Sequence, residues 1–225
     1  MKRKRLAIIA TAPAFALFGG GVFTAQTFMT SRIESRVQVE LPKASGVSAS
    51  IPFLDIPMNL ASDSIRSANI DIKNFTLKEN GTKTSLNIAA SNISKAKPTL
   101  VGSLELTATI PASTITKQSE FNNAQIVGNT LQVATGAGGM GTATLVPRYS
   151  NNQLYFEMKS ISIFGNEIPA TSLPANIQDQ IKSQSQRSLK PPKGLKVKSV
   201  SLSSKGLSVK MFGNNVQLGN LGSGL

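Results

Sequence analysis

The 225-residue chain is strongly basic, with a formal net charge of +13, and it contains no cysteine and no histidine. These absences exclude a thiol nucleophile, a thiolate metal site, a disulfide framework and a Ser-His-Asp triad. We therefore expect no cofactor, no metal and no catalytic residue. Nucleic acid is not an expected partner, because few aromatic residues are available to stack on bases.

Residues 1–25 predict a signal peptide or a membrane anchor. Lys2, Arg3, Lys4 and Arg5 form a basic head, and the following segment 6–25 has no charged residue. About 20 helical residues cross a bilayer core, so this length suits both interpretations. Ala25 fits a cleavage site, whereas Phe23 stands where a small residue is preferred. In either case the rest of the chain is expected outside the cytoplasm, in the periplasm or cell envelope.

The segment after the leader predicts a helical stalk over 26–44. Phe28, Met29, Ile33 and Val37 are spaced to share one helix face within 24–41. Residues 42–50 are expected to break the helix. The segment 51–57 contains two prolines, which argue for an ordered loop or sheet edge.

From Ile65 onward the pattern is typical of β-strands. Ile70 and Ile72 alternate with polar residues, and a phase shift before Phe75 predicts a β-bulge. The dipeptide at 80–81 is Asn-Gly, which predicts a hairpin to a strand at 86–90. The alternation over 100–110 is the longest in the chain and predicts a half-buried antiparallel strand.

The remaining elements complete an α+β domain. A helix is predicted over 172–189, since proline fits its first turn and the two prolines at 191–192 stop it. The domain is expected to span 45–218, with a flexible tail at 219–225. The other predicted elements are a short helix at 111–118 and strands at 124–127, 129–133, 142–146, 154–158, 160–164, 195–202, 207–212 and 216–218.

Several short segments, in this order, resemble the LmeA-like phospholipid-binding family of actinobacterial cell-envelope proteins. The family's G-F-P-F-L is similar to SIPFL at 50–54, and its L-P-x-G-L is similar to PPKGL at 191–195. Two departures, Ser-Ile at 50–51 and Pro191, concern local loop contacts rather than the fold. The other segments of the resemblance are VSAS at 47–50, IDI at 70–72, the late helix, GLSV at 206–209 and Val216.

The resemblance implies a fold and a function. The fold is a curved antiparallel sheet wrapping a helix around an apolar cavity, as in tubular lipid-binding (TULIP-like) domains. The function is binding of phospholipid or another anionic envelope lipid, in support of envelope lipid or lipoglycan (lipomannan-type) biogenesis. The implied partners are therefore lipid and membrane.

A lipid carrier needs an apolar cleft for acyl chains and a basic rim for the phosphate. We predict that apolar residues on the strands, the 51–57 segment and the late helix line the cleft, and that four lysines meet the headgroup. The cleft residues are Phe53, Leu54, Leu104, Leu106, Phe156, Met158, Ile177 and Ile181; the lysines are Lys190, Lys193, Lys196 and Lys198.

Two other functions are compatible with the same sequence. One is a non-enzymatic envelope scaffold or assembly protein, in which the same strands enclose a filled core. The other is an enzyme acting on envelope glycans through paired carboxylates such as Asp71 and Glu105. The lack of histidine and cysteine argues against catalysis, so we expect no enzyme activity.

Overall fold

A computed structural model describes residues 20–76, 81–118, 123–135 and 140–221. The predicted leader lies outside these ranges up to residue 19, as do Asn80 of the predicted hairpin turn and residues 222–225 of the predicted tail. The four α-helices in the described ranges are α1 (Gly20–Glu40), α2 (Ile56–Ala61), α3 (Ala112–Gln118) and α4 (Ala175–Ser185).

The described ranges also contain twelve strands, and the pairings between them are antiparallel. The fold is therefore α+β with antiparallel sheets, as the sequence predicts. The strands are β1 (Ala44–Ser50), β2 (Ser64–Thr76), β3 (Lys83–Ser94), β4 (Leu100–Pro111), β5 (Gln125–Val127), β6 (Thr130–Thr135), β7 (Gly141–Ser150), β8 (Gln153–Ile163), β9 (Asn166–Pro169), β10 (Arg187–Ser188), β11 (Lys196–Ser203) and β12 (Gly206–Gln217).

The strands form two open sheets. The first sheet has the order β1-β2-β3-β4-β12-β11, so the last long strand of the chain lies between β4 and β11. The second sheet has the order β10-β8-β7-β6-β5, and β9 pairs with β8. One cluster of buried side chains lies between α1 and the first sheet, and a second combines the second sheet with Leu202 of β11 and Leu207 of β12. Val200 on β11 packs against both clusters.

Helix α1 covers one face of the first sheet. Met29, Ile33 and Val37 are buried in the same cluster as Ile88 and Leu106 of the sheet. This burial confirms the predicted apolar helix face, except that Phe28 is exposed. The segment predicted as a stalk is thus helical to Glu40, and its apolar stripe forms part of the core of the domain.

The strand predictions around β2 and β3 are confirmed in detail. The two strands pair antiparallel, and their register shifts between Ile72 and Phe75, where the sequence predicts a bulge. The helix ends at Glu40, as the predicted break at 42–50 requires, and within that segment residues 44–50 form β1, an unpredicted strand that pairs with β2. The segment 51–57, which contains two prolines, forms a single 3-10 turn over Phe53–Asp55 and then enters α2.

The late helix is shorter than predicted. It spans Ala175–Ser185, after a 3-10 turn at Ala170–Ser172, and contains no fully buried residue. Its Ile181 packs against the second cluster, and the Ser185 hydroxyl accepts a 2.9 Å hydrogen bond from the Phe156 backbone N–H. Helix α4 is therefore anchored on β8 of the second sheet.

Candidate functional site

A cavity of about 200 Å³ lies between α1 and the first sheet, and we call it the α1 cavity. It is larger than the engineered apolar cavity of ~150 Å³ that accepts benzene in another protein. The helix supplies one wall, and the strands and α2 supply the others. The lining residues are Phe28, Met29, Arg32, Ile33, Arg36, Val37, Asn59, Leu60, Ile65, Ile70, Ile88, Ala90, Ile93, Lys95, Thr99, Val101 and Leu218.

Most of this wall is apolar because neighbouring strands bring their inward-facing residues together. Ile88 and Ala90 lie two positions apart on β3 and therefore face the same side of the sheet. Ile70 pairs with Ile88 across β2 and β3, which extends the apolar surface to the next strand. These walls can accept hydrocarbon but offer few hydrogen-bond partners.

Three cations line the same cavity. The Arg36 guanidinium donates to the Lys95 carbonyl oxygen at 3.1 Å and to the Thr99 hydroxyl oxygen at 3.5 Å. The Arg32 guanidinium lies 4.9 Å from the centroid of the Phe28 ring. Across the described ranges, the ion pairs do not include Arg32, Arg36 or Lys95, so no carboxylate neutralises these charges directly.

Lys95 joins the end of β3 to α2. Its ammonium group donates to the Asn59 carbonyl oxygen at 2.6 Å and also to the Ser62 carbonyl oxygen. Because both acceptors are neutral carbonyl oxygens, these bonds hold the ammonium group at the cavity wall and do not neutralise its positive charge. Electrostatic attraction for an anion therefore remains available there.

Asn59 is fully buried and lines the cavity. Its Oδ1 atom accepts a 2.8 Å hydrogen bond from the backbone N–H of Arg66, which assigns the other amide atom as nitrogen. That nitrogen, Nδ2, has no hydrogen-bond partner among the described residues. A buried donor left without a partner costs about 1–3 kcal/mol.

The eight predicted cleft residues lie in different parts of the structure, and none of them lines the α1 cavity. Leu104 and Leu106 are buried in the first cluster, whereas Phe156, Met158 and Ile181 belong to or pack against the second. The other three, Phe53, Leu54 and Ile177, are exposed. The helix that borders the α1 cavity is α1, whereas the sequence predicts the late helix in that position.

The four predicted headgroup lysines also lie apart from this cavity. All four are exposed, two in the segment before β11 and two on β11 itself; they are Lys190, Lys193, Lys196 and Lys198. Sequence reasoning missed the cations that do line the cavity. Arg32 and Arg36 are four residues apart and next to Ile33 and Val37. This spacing places both arginines on one side of the helix, beside its apolar face, and could have identified them.

The carboxylates considered for catalysis are engaged elsewhere. Glu105 forms a 2.7 Å ion pair with Lys210, and Asp71 accepts a 2.6 Å hydrogen bond from the Asn87 side chain. Over the part of the chain that the structure describes, no group of three acidic side chains is arranged to hold a metal ion. Among the described helices, none has the length and apolar character needed to cross a membrane.

Comparison of the chain with known protein families, with curated protein sequences and with solved structures found no match.

Proposed function

We propose that this chain is an exported cell-envelope protein that binds phospholipid or another anionic envelope lipid in the α1 cavity. Its role would be accessory to envelope lipid or lipoglycan biogenesis, and it would hold or transfer lipid rather than alter it. The observation that carries this proposal is the coincidence of apolar walls with Arg32, Arg36 and Lys95 in one cavity.

The apolar part of the cavity suits the end of an acyl chain. Each buried methylene contributes roughly 0.8 kcal/mol, so a few methylenes inside the cavity give useful affinity. A volume of about 200 Å³ holds only part of a long chain, and the remainder would lie toward the opening beside Phe28 and Leu60. Both residues line the cavity and are exposed to solvent.

The polar part of the cavity suits the oxygen-rich end of the same ligand. A phosphate would be attracted by the unneutralised cations.

We also propose that α1 and the first sheet form a TULIP-like arrangement, in which the sheet wraps the helix around an apolar cavity. The support is the burial of Met29, Ile33 and Val37 against one face of an antiparallel sheet, with a cavity beside them. The helix in this arrangement comes from the segment that directly follows the leader. A retained leader would hold the cavity close to the bilayer, and a cleaved one would free the domain to move.

Native mass spectrometry of the full chain, released from detergent, tests the proposal. We expect a population whose added mass matches a phospholipid, and lipid extraction of the same sample should recover it. An empty protein that also takes up no phospholipid from anionic vesicles would contradict lipid binding.

Replacement of Arg32 by glutamine tests the cavity cations. One cation close to an anionic headgroup contributes about 1 kcal/mol, so Arg32→Gln should weaken binding of short-chain phosphatidylglycerol about fivefold. The measurement is a titration of that lipid into the full chain. Stability should change little, because Arg32 is exposed on α1.

Lys198→Gln is the matched control. This exposed lysine on β11 lies outside the α1 cavity, so its loss should leave the titration unchanged. A larger effect from Lys198 than from Arg32 would instead support the headgroup site that the sequence predicts on β11.

The alternative, an envelope scaffold or assembly protein without ligand, also has an observation in its favour. The late helix packs on β8 rather than beside the α1 cavity, and the second cluster includes Leu131 and Leu145, which are completely buried. Absence of lipid in the mass spectrum, together with a stable folded chain, would favour this alternative.

A further inference from the structure

An unusual group of exposed apolar side chains, which we call the apolar rim, lies on α1 and the 51–61 segment, and two of its members, Phe28 and Leu60, line the α1 cavity. The rim consists of Phe28 on α1, Phe53 and Leu54 on the 3-10 turn, and Met58 and Leu60 on α2, and Leu54 is 86% exposed. Burying a side chain of this size stabilises by about 1.5–3 kcal/mol. Large apolar side chains grouped on a surface mark an interaction site.

Several contacts join the elements that carry the rim. The Gln26 side-chain amide donates to the Ile51 carbonyl oxygen at 3.4 Å, which joins α1 to the start of the 51–61 segment. Phe28 and Leu60 line the same cavity. Ile56 is buried in the first cluster and anchors α2 to the core, whereas Met58 and Leu60 on the same helix are each more than half exposed.

The chain outside the structure indicates what covers this rim. Residues 6–19 contain no charged residue and lead directly into α1 at Gly20. Phe28 comes eight positions after Gly20, which corresponds to about 12 Å along α1. The apolar leader therefore joins the domain at the same end of α1 that carries the rim.

The charges around the rim suit an anionic lipid surface. Arg32 stacks on the Phe28 ring, and Arg36 and Lys95 follow along the cavity. Basic residues that flank inserted apolar ones are the usual composition of a surface that binds anionic membranes.

We propose that the apolar rim inserts into the lipid bilayer next to the leader, so that the mouth of the α1 cavity faces the membrane interior. This inference rests on the extracytoplasmic lipid-binding function proposed above. It identifies the docking surface and gives a lipid a continuous apolar path from the bilayer, past Phe28 and Leu60, into the cavity.

The absence of tryptophan from the chain allows a direct test. Leu54→Trp introduces a single indole at the most exposed position of the rim. The full-chain variant is reconstituted in vesicles of phosphatidylcholine and phosphatidylglycerol. We expect blue-shifted emission and loss of most of that emission when the phospholipids carry bromine on their acyl chains. Met58→Trp provides a second position on the rim and should respond in the same way.

Phe164→Trp is the matched control. Phe164 is 76% exposed and follows β8 in the second sheet, whereas the rim lies on elements that pack against the first sheet. Its indole should emit at the wavelength of a water-exposed tryptophan and resist the brominated lipids, although the same leader is present. Equal behaviour at positions 54, 58 and 164 would overturn the proposal. A blue shift at 54 without bromine quenching would also overturn it, by showing that protein, such as a second copy, covers the rim.

Native mass spectrometry of the same variants separates this inference from the function on which it rests. Bound phospholipid without quenching at positions 54 and 58 would refute docking and leave the cavity function standing. Quenching at both positions in a protein that never binds lipid would support docking and refute the cavity function.

Discussion

Replacing Gly206 by alanine is expected to lower the melting temperature by about 10 °C, the largest stability loss that we predict for a single methyl group. Gly206 begins β12, opposite Pro111 at the end of β4, and its φ angle is +133°. A Cβ atom there would lie 1.9 Å from the Ile110 carbonyl oxygen and 2.8 Å from the Ala112 backbone nitrogen.

Both obstructing groups are backbone atoms, so no side chain can rotate to relieve the overlap. The strand would have to separate from β4, or the backbone at 110–112 would have to move with α3. Together with the unfavourable φ angle, we expect a loss of about 4 kcal/mol in the free energy of unfolding. Thermal unfolding of the full chain, followed by circular dichroism, measures this effect.

Gly128→Ala is the control for the φ angle alone. Gly128 also has a positive φ of +60°, but an added Cβ would meet no atom within 4 Å. A loss of only about 1–2 kcal/mol is expected. Similar melting temperatures for the two variants would show that the backbone overlap at Gly206 is relieved at little cost.

Replacing Ala90 by phenylalanine should abolish most lipid binding while the domain stays folded. Ala90 is buried on β3 and lines the α1 cavity. A cavity of ~150 Å³ is filled by one benzene, so a phenyl ring would occupy most of the space. Excluding two or three methylenes, each worth about 0.8 kcal/mol, weakens binding more than tenfold. Lipid recovered by native mass spectrometry should fall accordingly.

Ala143→Phe provides a volume-matched control. Ala143 is buried in the second cluster and does not line the α1 cavity. Overpacking there should destabilise by about 1–3 kcal/mol, whereas the open space at Ala90 should tolerate the ring with a smaller change in melting temperature. Lipid binding that survives Ala90→Phe would show that the lipid binds outside the α1 cavity.

The parts of the fold that sequence predicted well are those in which pattern and burial agree over many residues. The alternation through Ile70 and Ile72, with its shift before Phe75, located both β2 and its bulge. The spacing of Met29, Ile33 and Val37 located the buried face of α1. In each case the regular spacing of apolar residues predicts which side chains are buried when the chain folds.

Strand β1 was missed because its pattern is weak. Residues 44–50 are small or polar apart from Val47, and β1 is an edge strand that pairs only with β2. Backbone hydrogen bonds to a neighbouring strand hold it, and side-chain hydrophobicity does not report those bonds.

The start of β4 shows how a local backbone conformation reverses a predicted face. Alternation predicted Leu100 and Leu104 on the same side, but Leu100 is 48% exposed and Val101 is buried. Asn92 on β3 and Asn215 on β12 flank Gly102, and both asparagines have positive φ angles near +50°. Left-handed residues next to a glycine interrupt the pleat, and the sequence pattern does not reveal which asparagines adopt this conformation.

The cavity was beyond sequence prediction for a different reason. Ile88 lines a cavity, whereas Leu106 on the next strand is packed core, and both are completely buried apolar residues. Hydrophobic pattern reports burial but not whether the space beside a buried side chain is filled. That distinction depends on how far α1 stands from the sheet, which the packing of both elements determines together.

The position of β12 also governs when this protein can fold during its synthesis. β12 is the last long strand made, yet it lies between β4 and β11 and completes the middle of the first sheet. Until residues 206–217 have emerged, one edge of β4 has no strand to pair with, and unpaired edges promote aggregation. The described chain must therefore be synthesised through residue 217 before the sheet closes, so a nascent chain of this kind benefits from a holding chaperone.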